Sequence, residues 1–344
     1  MSESNESRPA RSRVVLRNIS SRAWEHPADR GALVALRKLK GFDSVVKLVS
    51  GLFRERKWRL LYLGAAIRVD DRQFPVLNRA LVDAAGILDA ERVPELFVIG
   101  EPSFNAWCIG MDKPFILISS GVVDLMDEDE LRWMLAHELG HAMSGHAVYR
   151  TILDRLLKLT TAVGAIPIAG IGARVILAGL MEWQRKSELS ADRAGLLATQ
   201  DPAAAYRALM KLASGGHLDD LDQTSFFAQG AEYDDTDLRD SVMKIQLLEG
   251  RSHPMTVSRA SELRKWVDSG AYTTILAGEY PTRDTDDDAK LSEAAQEAAN
   301  SYSETLRDTQ DALGRMVHDA AGWMGSAKTW FDEQWRRGGG EEAS

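Results

Sequence analysis

One short stretch, His137-Glu138-Leu139-Gly140-His141, concentrates groups able to do chemistry in a chain that is otherwise poor in histidine, with 7 in 344 residues. Two imidazoles four positions apart on a helix point the same way, so both can hold one metal ion from one face. Glu138 sits beside that face. It is badly placed to ligate the same ion, but it can reach a water bound to it, which is the arrangement of a metal-assisted hydrolase. With His146, three of the seven histidines fall within ten positions. On one unbroken ideal helix His146 would face away from His137, which makes it a poor fourth ligand.

A second pair lies downstream in Ser187-Glu188-Leu189-Ser190-Ala191-Asp192. Glu188 and Asp192 are again four apart and share a helical face. A catalytic zinc held by two histidines needs a third protein ligand and one open position, and Glu188 can supply the third ligand. Asp192, one turn further on, can accept the remaining ring N–H of a ligating histidine and so fix its tautomer.

These side chains need helices and a supporting sheet. Asp127 with Glu130 makes a capping box, and Glu128 and Asp129 place negative charge at the positive end of the helix that follows. Leu131, Met134, Leu135, Leu139 and Ala142 then predict an amphipathic helix carrying the pentapeptide. Before it, strand periodicity occupies Glu95 to Ile99, Asn105 to Ile109 and Phe115 to Ile118, with turn chemistry in 110–114. From Val14 to about Val93 the pattern is helical, including Arg59 to Val69 and Phe74 to Leu88. The expected fold is therefore α+β and mostly helical, a small β-sheet packed beside the metal-binding helix with helical flanks. An exposed sheet edge there can bind an extended peptide as a further strand, and Asn105-Ala106-Trp107 is the candidate edge, with an interior strand as the alternative.

Composition narrows the partners. A net charge of -9 and the absence of a dense Lys/Arg block argue against nucleic acid, leaving peptides, proteins or small molecules. The single cysteine, Cys108, excludes an internal disulfide and fits a reducing compartment. The first dozen residues are polar and read as neither a secretory signal nor an anchor. Residues 159–173 are uncharged but too short to cross a bilayer, and Pro167 interrupts them. With 175–181 they read as a helical hairpin, either buried or lying against a membrane surface.

The HELGH pentapeptide followed by Glu188-Leu189-Ser190-Ala191-Asp192 resembles the gluzincin metallopeptidases that include the CAAX prenyl protease and the heat-shock protease HtpX. The resemblance spans 94–267 and includes Asn105-Ala106, Ser119-Ser120-Gly121, His146, and Ser252-His253-Pro254 with Arg259. It implies that His253 stabilises the tetrahedral oxyanion and that Arg259 supports the site through an ion pair; the plain alternative for His253 is the start of a helix at Pro254. It further implies one zinc ion per chain held by His137, His141 and Glu188, with Glu138 as general base. Membrane members carry several true spans, which this chain lacks, so a cytoplasmic enzyme is expected, with 159–181 as the one candidate for peripheral membrane contact.

The expected organisation is a disordered start at 1–12 and a metallopeptidase domain at 13–280, made of a helical flank (13–93) and a catalytic core (94–267). An acidic linker follows at 281–303, then an amphipathic helix at 304–337 suited to self-association, and a tail at 338–344. The expected function is zinc-dependent endopeptidase, by analogy in protein quality control. The alternative is a catalytically silent or latent zinc-containing scaffold that holds partners.

Overall fold

Asp127 starts the central helix as its spacing predicts. Its carboxylate accepts from the backbone N–H groups of Asp129 and Glu130, while Glu130 Oε2 accepts from the backbone N–H of Asp127 at 2.9 Å. The computed structural model describes residues 12–52, 55–162, 170–234, 255–286, 289–308 and 310–311. Residues 1–11, the hairpin tip around Pro167, Ser252-His253-Pro254, and the tail from 312 on lie outside the described residues. Among the described residues, no helix is long and apolar enough to cross a membrane.

The chain opens with three helices, α1 (Pro27–Arg37), α2 (Phe42–Leu52) and α3 (Glu55–Ala65), followed by the short strand β1 (Ile67–Arg68) and α4 (Pro75–Ile87). Next come β2 (Leu96–Ile99), β3 (Ala106–Ile109), β4 (Phe115–Ser119) and α5 (Ser120–Leu125). The central α6 (Glu128–Met143) leads into α7 (His146–Ala162), the long α8 (Gly170–Thr199), α9 (Pro202–Ser214) and α10 (Gln223–Asp234), and further on the Thr256–Asp268 helix. The sheet order is β1-β2-β4-β3, with β2 and β4 parallel and the outer pairings antiparallel. β3 is therefore an edge strand.

Three features depart from expectation. Helical periodicity does not run from Arg59 to Val69: α3 stops at Ala65, and Ile67–Arg68 pairs with β2, with Val69 donating to the Leu96 carbonyl. A two-residue strand leaves no period to read. Second, α6 is not amphipathic, because every residue from Glu130 to His141 is buried. It is packed against α4, α8, α9 and the sheet, and even Glu130 is covered, its charge met by Arg207 Nε at 3.1 Å and Lys211 Nζ at 2.6 Å. Third, the 281–303 segment is not an extended linker. It is helical from 293, and Ala295, Ala299, Tyr302 and Leu306 are buried at spacings of three and four.

That last helix spans 293–308 and locks α1 onto α8. A Cβ on Gly31 of α1 would lie 2.6–2.8 Å from atoms of Ala295, Ala298 and Ala299, while the Tyr302 hydroxyl donates to the Gly179 carbonyl of α8. Nearby, the two ends of the fold are joined: Ile19 bridges Thr282, and Ser20 N–H donates to the Pro281 carbonyl at 2.9 Å.

The pentapeptide glycine has a packing reason. A Cβ on Gly140 would come within 2.6 Å of the Ala194 Cβ, so α6 and α8 approach there with no room for a methyl group. Gly140→Ala should therefore be destabilising by about 1–2 kcal/mol, overpacking outweighing the gain of about 1 kcal/mol in helix propensity. Gly86→Ala in α4, where nothing lies within 4 Å, should instead be stabilising by up to about 1 kcal/mol. Urea unfolding of the two variants measures both signs, and a stabilised Gly140→Ala would show that the helices are free to separate.

Candidate metal centre

α6 and α8 bring the two motifs together. His137, Glu138, His141 and Glu188 are fully buried, and each histidine Nε2 stands 3.4 Å from an oxygen of the Glu188 carboxylate. His137, Glu138 and His141 offer ligand atoms that all lie within 4.8 Å of one another. Glu138 Oε1 is 3.9 Å from His137 Nε2. Two imidazoles and two carboxylates are thus gathered around one point without solvent access.

The other ring nitrogens are engaged elsewhere. His137 Nδ1 lies 2.9 Å from Asp192 Oδ1, and Asp192 is itself gripped by Arg259, whose Nε donates to Oδ2 at 2.8 Å and whose Nη2 donates to Oδ1 at 2.5 Å. Arg259 also approaches Glu188 Oε2 to 3.2 Å through Nη1. Burial works against the Asp192 carboxylate, but Arg259 and His137 hold it below the usual range, so it accepts and His137 Nδ1–H donates. Burial also opposes charge on His137, yet its bonds to Asp192 and Glu188 prevail and push its pKa up to about 9. At His141, burial and the Arg150 cation push the other way, to about 3. The donor set suits a divalent transition metal: neutral His141 Nε2, His137 Nε2 and a carboxylate oxygen converge. Arg150 is a stand-in cation, because its Nη1 meets both His141 Nε2 and Glu188 Oε1, the latter at 2.9 Å.

Three further residues reach this centre beyond those of the two motifs. His146 is not turned away from the centre, since α6 ends at Met143 and Gly145 takes a positive φ of 69°. The chain turns there and α7 begins at His146, whose Nδ1 comes 3.1 Å from His141 Nδ1. Arg150 was not singled out, although His146 and Arg150, four apart on α7, carried the same one-face signal as the two motifs. Asp29, on α1 in the helical flank, also reaches this region, its Oδ2 3.0 Å from His146 Nε2. Burial raises its pKa, but contacts with His146, Ser190 and Trp183 together hold it below the usual carboxylate range.

A cavity of about 420 Å³ opens beside the centre, lined among others by Trp58, Tyr62, Trp107, Ile109, Arg150 and Leu153. Ala106 is buried, Trp107 is half-buried on the cavity wall, and Asn105 precedes β3 with its amide donating to Ser103. Burial and the Glu138 charge push the Cys108 thiol up. His253 lies outside the described residues.

Buried histidines and carboxylates of this kind, on paired helices beside a sheet edge, form a candidate metal-binding centre. Residues 71–267, more than half of the chain, match the profile of peptidase family M48. The chain is 32% identical over 272 residues to plastoglobule-localized metallopeptidase 48, chloroplastic, of Arabidopsis thaliana, across 76% of this chain and 77% of that one. It is 26% identical over 254 residues to a protease HtpX homolog of Polynucleobacter necessarius, across 62% of this chain and 81% of the relative. No solved structure matches. The chain belongs to peptidase family M48, and it is a metallopeptidase with the mostly helical α+β fold that its sequence predicts.

Proposed function

We propose that this metallopeptidase is a zinc endopeptidase in which His137, His141 and Glu188 hold the ion. The observation that carries the reading is the convergence of both Nε2 atoms on the Glu188 carboxylate, 3.4 Å from each, with Glu138 alongside. A zinc ion held there would supply Lewis acidity, lowering the pKa of a water and polarising the scissile carbonyl. Glu138 is the group placed to accept a proton from an attacking water and to return it to the leaving amine. Asp192, braced by Arg259, accepts from His137 Nδ1–H, so Nε2 is the nitrogen left to face the ion once its own proton is displaced. His253 is proposed to stabilise the developing oxyanion.

The substrate is proposed to be an extended segment of an unfolded protein. It would add to the β3 edge at Asn105-Ala106-Trp107 through main-chain hydrogen bonds, which tolerate many side chains. The cavity beside Trp107 suits a large apolar side chain of that segment. By analogy with the HtpX relatives, the physiological setting is protein quality control in the cytoplasm. Of the 159–181 hairpin, Val175, Ile176 and Leu180 are buried in the core, which favours the buried reading over membrane contact for that part.

Metal removal tests the reading. Casein hydrolysis by the purified chain should stop on treatment with a strong zinc chelator and return when zinc is restored. Hydrolysis that survives complete removal of metal would refute it.

A further inference from the structure

His141 has a neighbour on each side, and the two together dictate which of its nitrogens carries hydrogen. At Nε2 stands Arg150, whose guanidinium has only donors, so that nitrogen must present a lone pair. At Nδ1, 3.1 Å away, stands the Nδ1 of His146. The far nitrogen of His146, Nε2, lies 3.0 Å from Asp29 Oδ2. Asp29 is 1% exposed and His146 2% exposed, so no bulk water substitutes for either contact.

Asp29 is fixed in turn. Its Oδ1 accepts from Trp183 Nε1 at 2.8 Å and its Oδ2 accepts from Ser190 Oγ at 2.5 Å, both on α8. It occupies the first turn of α1, where the helix dipole favours a negative charge, and His26 caps that helix by accepting from the Ala28 N–H at 3.1 Å. An ionised carboxylate only accepts, so His146 Nε2–H donates to Asp29. Because His141 Nε2 faces the Arg150 donor and must be bare, the His141 hydrogen sits on Nδ1 and points at His146 Nδ1, which makes that nitrogen the acceptor and leaves the His146 hydrogen on Nε2 toward Asp29.

We propose that His146, oriented by Asp29, is a positioning residue for metal binding: it holds His141 in the Nδ1–H tautomer, so that the Nε2 lone pair is always presented to the ion. This rests on the reading of His141 as a metal ligand. Both ligating histidines are then oriented by an acceptor at Nδ1, His137 by Asp192 directly and His141 by Asp29 through an intervening imidazole. Asp29 belongs to α1, outside residues 71–267 that match the family profile. The N-terminal flank is therefore part of the metal centre and not only a cover for it.

The test is the zinc affinity of the full chain, measured by competition with a chromogenic chelator. His146→Phe keeps a flat ring against Trp183 but offers no acceptor, and Asp29→Asn turns an amide donor toward His146 and reverses the relay. Each should weaken zinc binding about 10- to 100-fold, the usual effect of removing such an outer partner. His146→Asn restores an acceptor near the Nδ1 position and should stay within a few-fold of the unsubstituted chain, a rescue that a purely packing role does not predict. Imidazole nitrogen shifts of the metal-free chain should report His141 protonated at Nδ1 and His146 protonated at Nε2, with His146 no longer protonated at Nε2 in Asp29→Asn. If the unsubstituted chain binds zinc and Asp29→Asn binds it equally well, the relay is wrong, and this variant decides the matter should His146→Phe fail to fold. No zinc uptake by the unsubstituted chain would overturn the metal reading and the relay with it.

Discussion

Casein hydrolysis by Glu138→Gln should fall about a hundred- to ten-thousand-fold with the zinc content unchanged, the loss expected when a positioned general base is removed. Glutamine keeps the size and the hydrogen-bonding oxygen of the side chain but cannot take a proton. Glu138 has no surface role to lose, since it is fully buried and its Oε1 stands 3.9 Å from His137 Nε2. Its neighbours in the donor set predict a different outcome. Glu188→Gln should lose zinc as well as activity, because Glu188 is the carboxylate on which both imidazoles converge. The comparison of the two variants separates base from ligand. A Glu138→Gln chain that cleaved casein at the native rate would remove Glu138 from the mechanism.

The largest expected loss of stability comes from Arg259→Met. Arg259 is 2% exposed and faces two carboxylates at once, Asp192 through two hydrogen bonds and Glu188 at 3.2 Å. Taking away the guanidinium leaves both negative charges in the interior, and breaking a buried ion pair from one side costs about 3–5 kcal/mol. Zinc should return part of that loss, since an ion held by Glu188 supplies positive charge at the same place. The measurement is urea unfolding of native and variant chains with and without zinc. Arg259→Lys keeps the charge but not the fork that grips Asp192, and should fall between the two. A loss below about 1 kcal/mol in Arg259→Met without zinc would mean that the pair is dispensable, as weakly coupled exposed ion pairs are.

What could be read in advance was local. The capping box at Asp127 and Glu130, the shared faces of His137 with His141 and of Glu188 with Asp192, and three of the four strands are all set by spacings within a few residues. Contacts between distant segments were not legible. The burial of α6 on all sides depends on α4, α8 and α9 arriving from elsewhere, and Asp29 joins His146 across more than a hundred residues. The approach of His146 to the far side of His141 is not legible from helix geometry because α6 ends before it and the backbone turns at Gly145, although His146 stays a poor fourth ligand. The acidic composition around Asp284 and Asp286 concealed the helix that starts a few residues later, whose buried side opens with two small alanines, Ala295 and Ala299, and so gives a weak apolar signal at its start.

The junction of Ile19 with Thr282, and the clasp of α1 by the 293–308 helix, bear on the order of assembly during synthesis. On the ribosome, α1 and its Asp29 emerge early, whereas the segments that hold them in place are translated more than 250 residues later. Contacts of such sequence separation form slowly and late. Until they close, nothing from the C-terminal segments holds α1, so the proposed support of His141 through Asp29, and with it the proposed zinc centre, would be completed only after those segments are made.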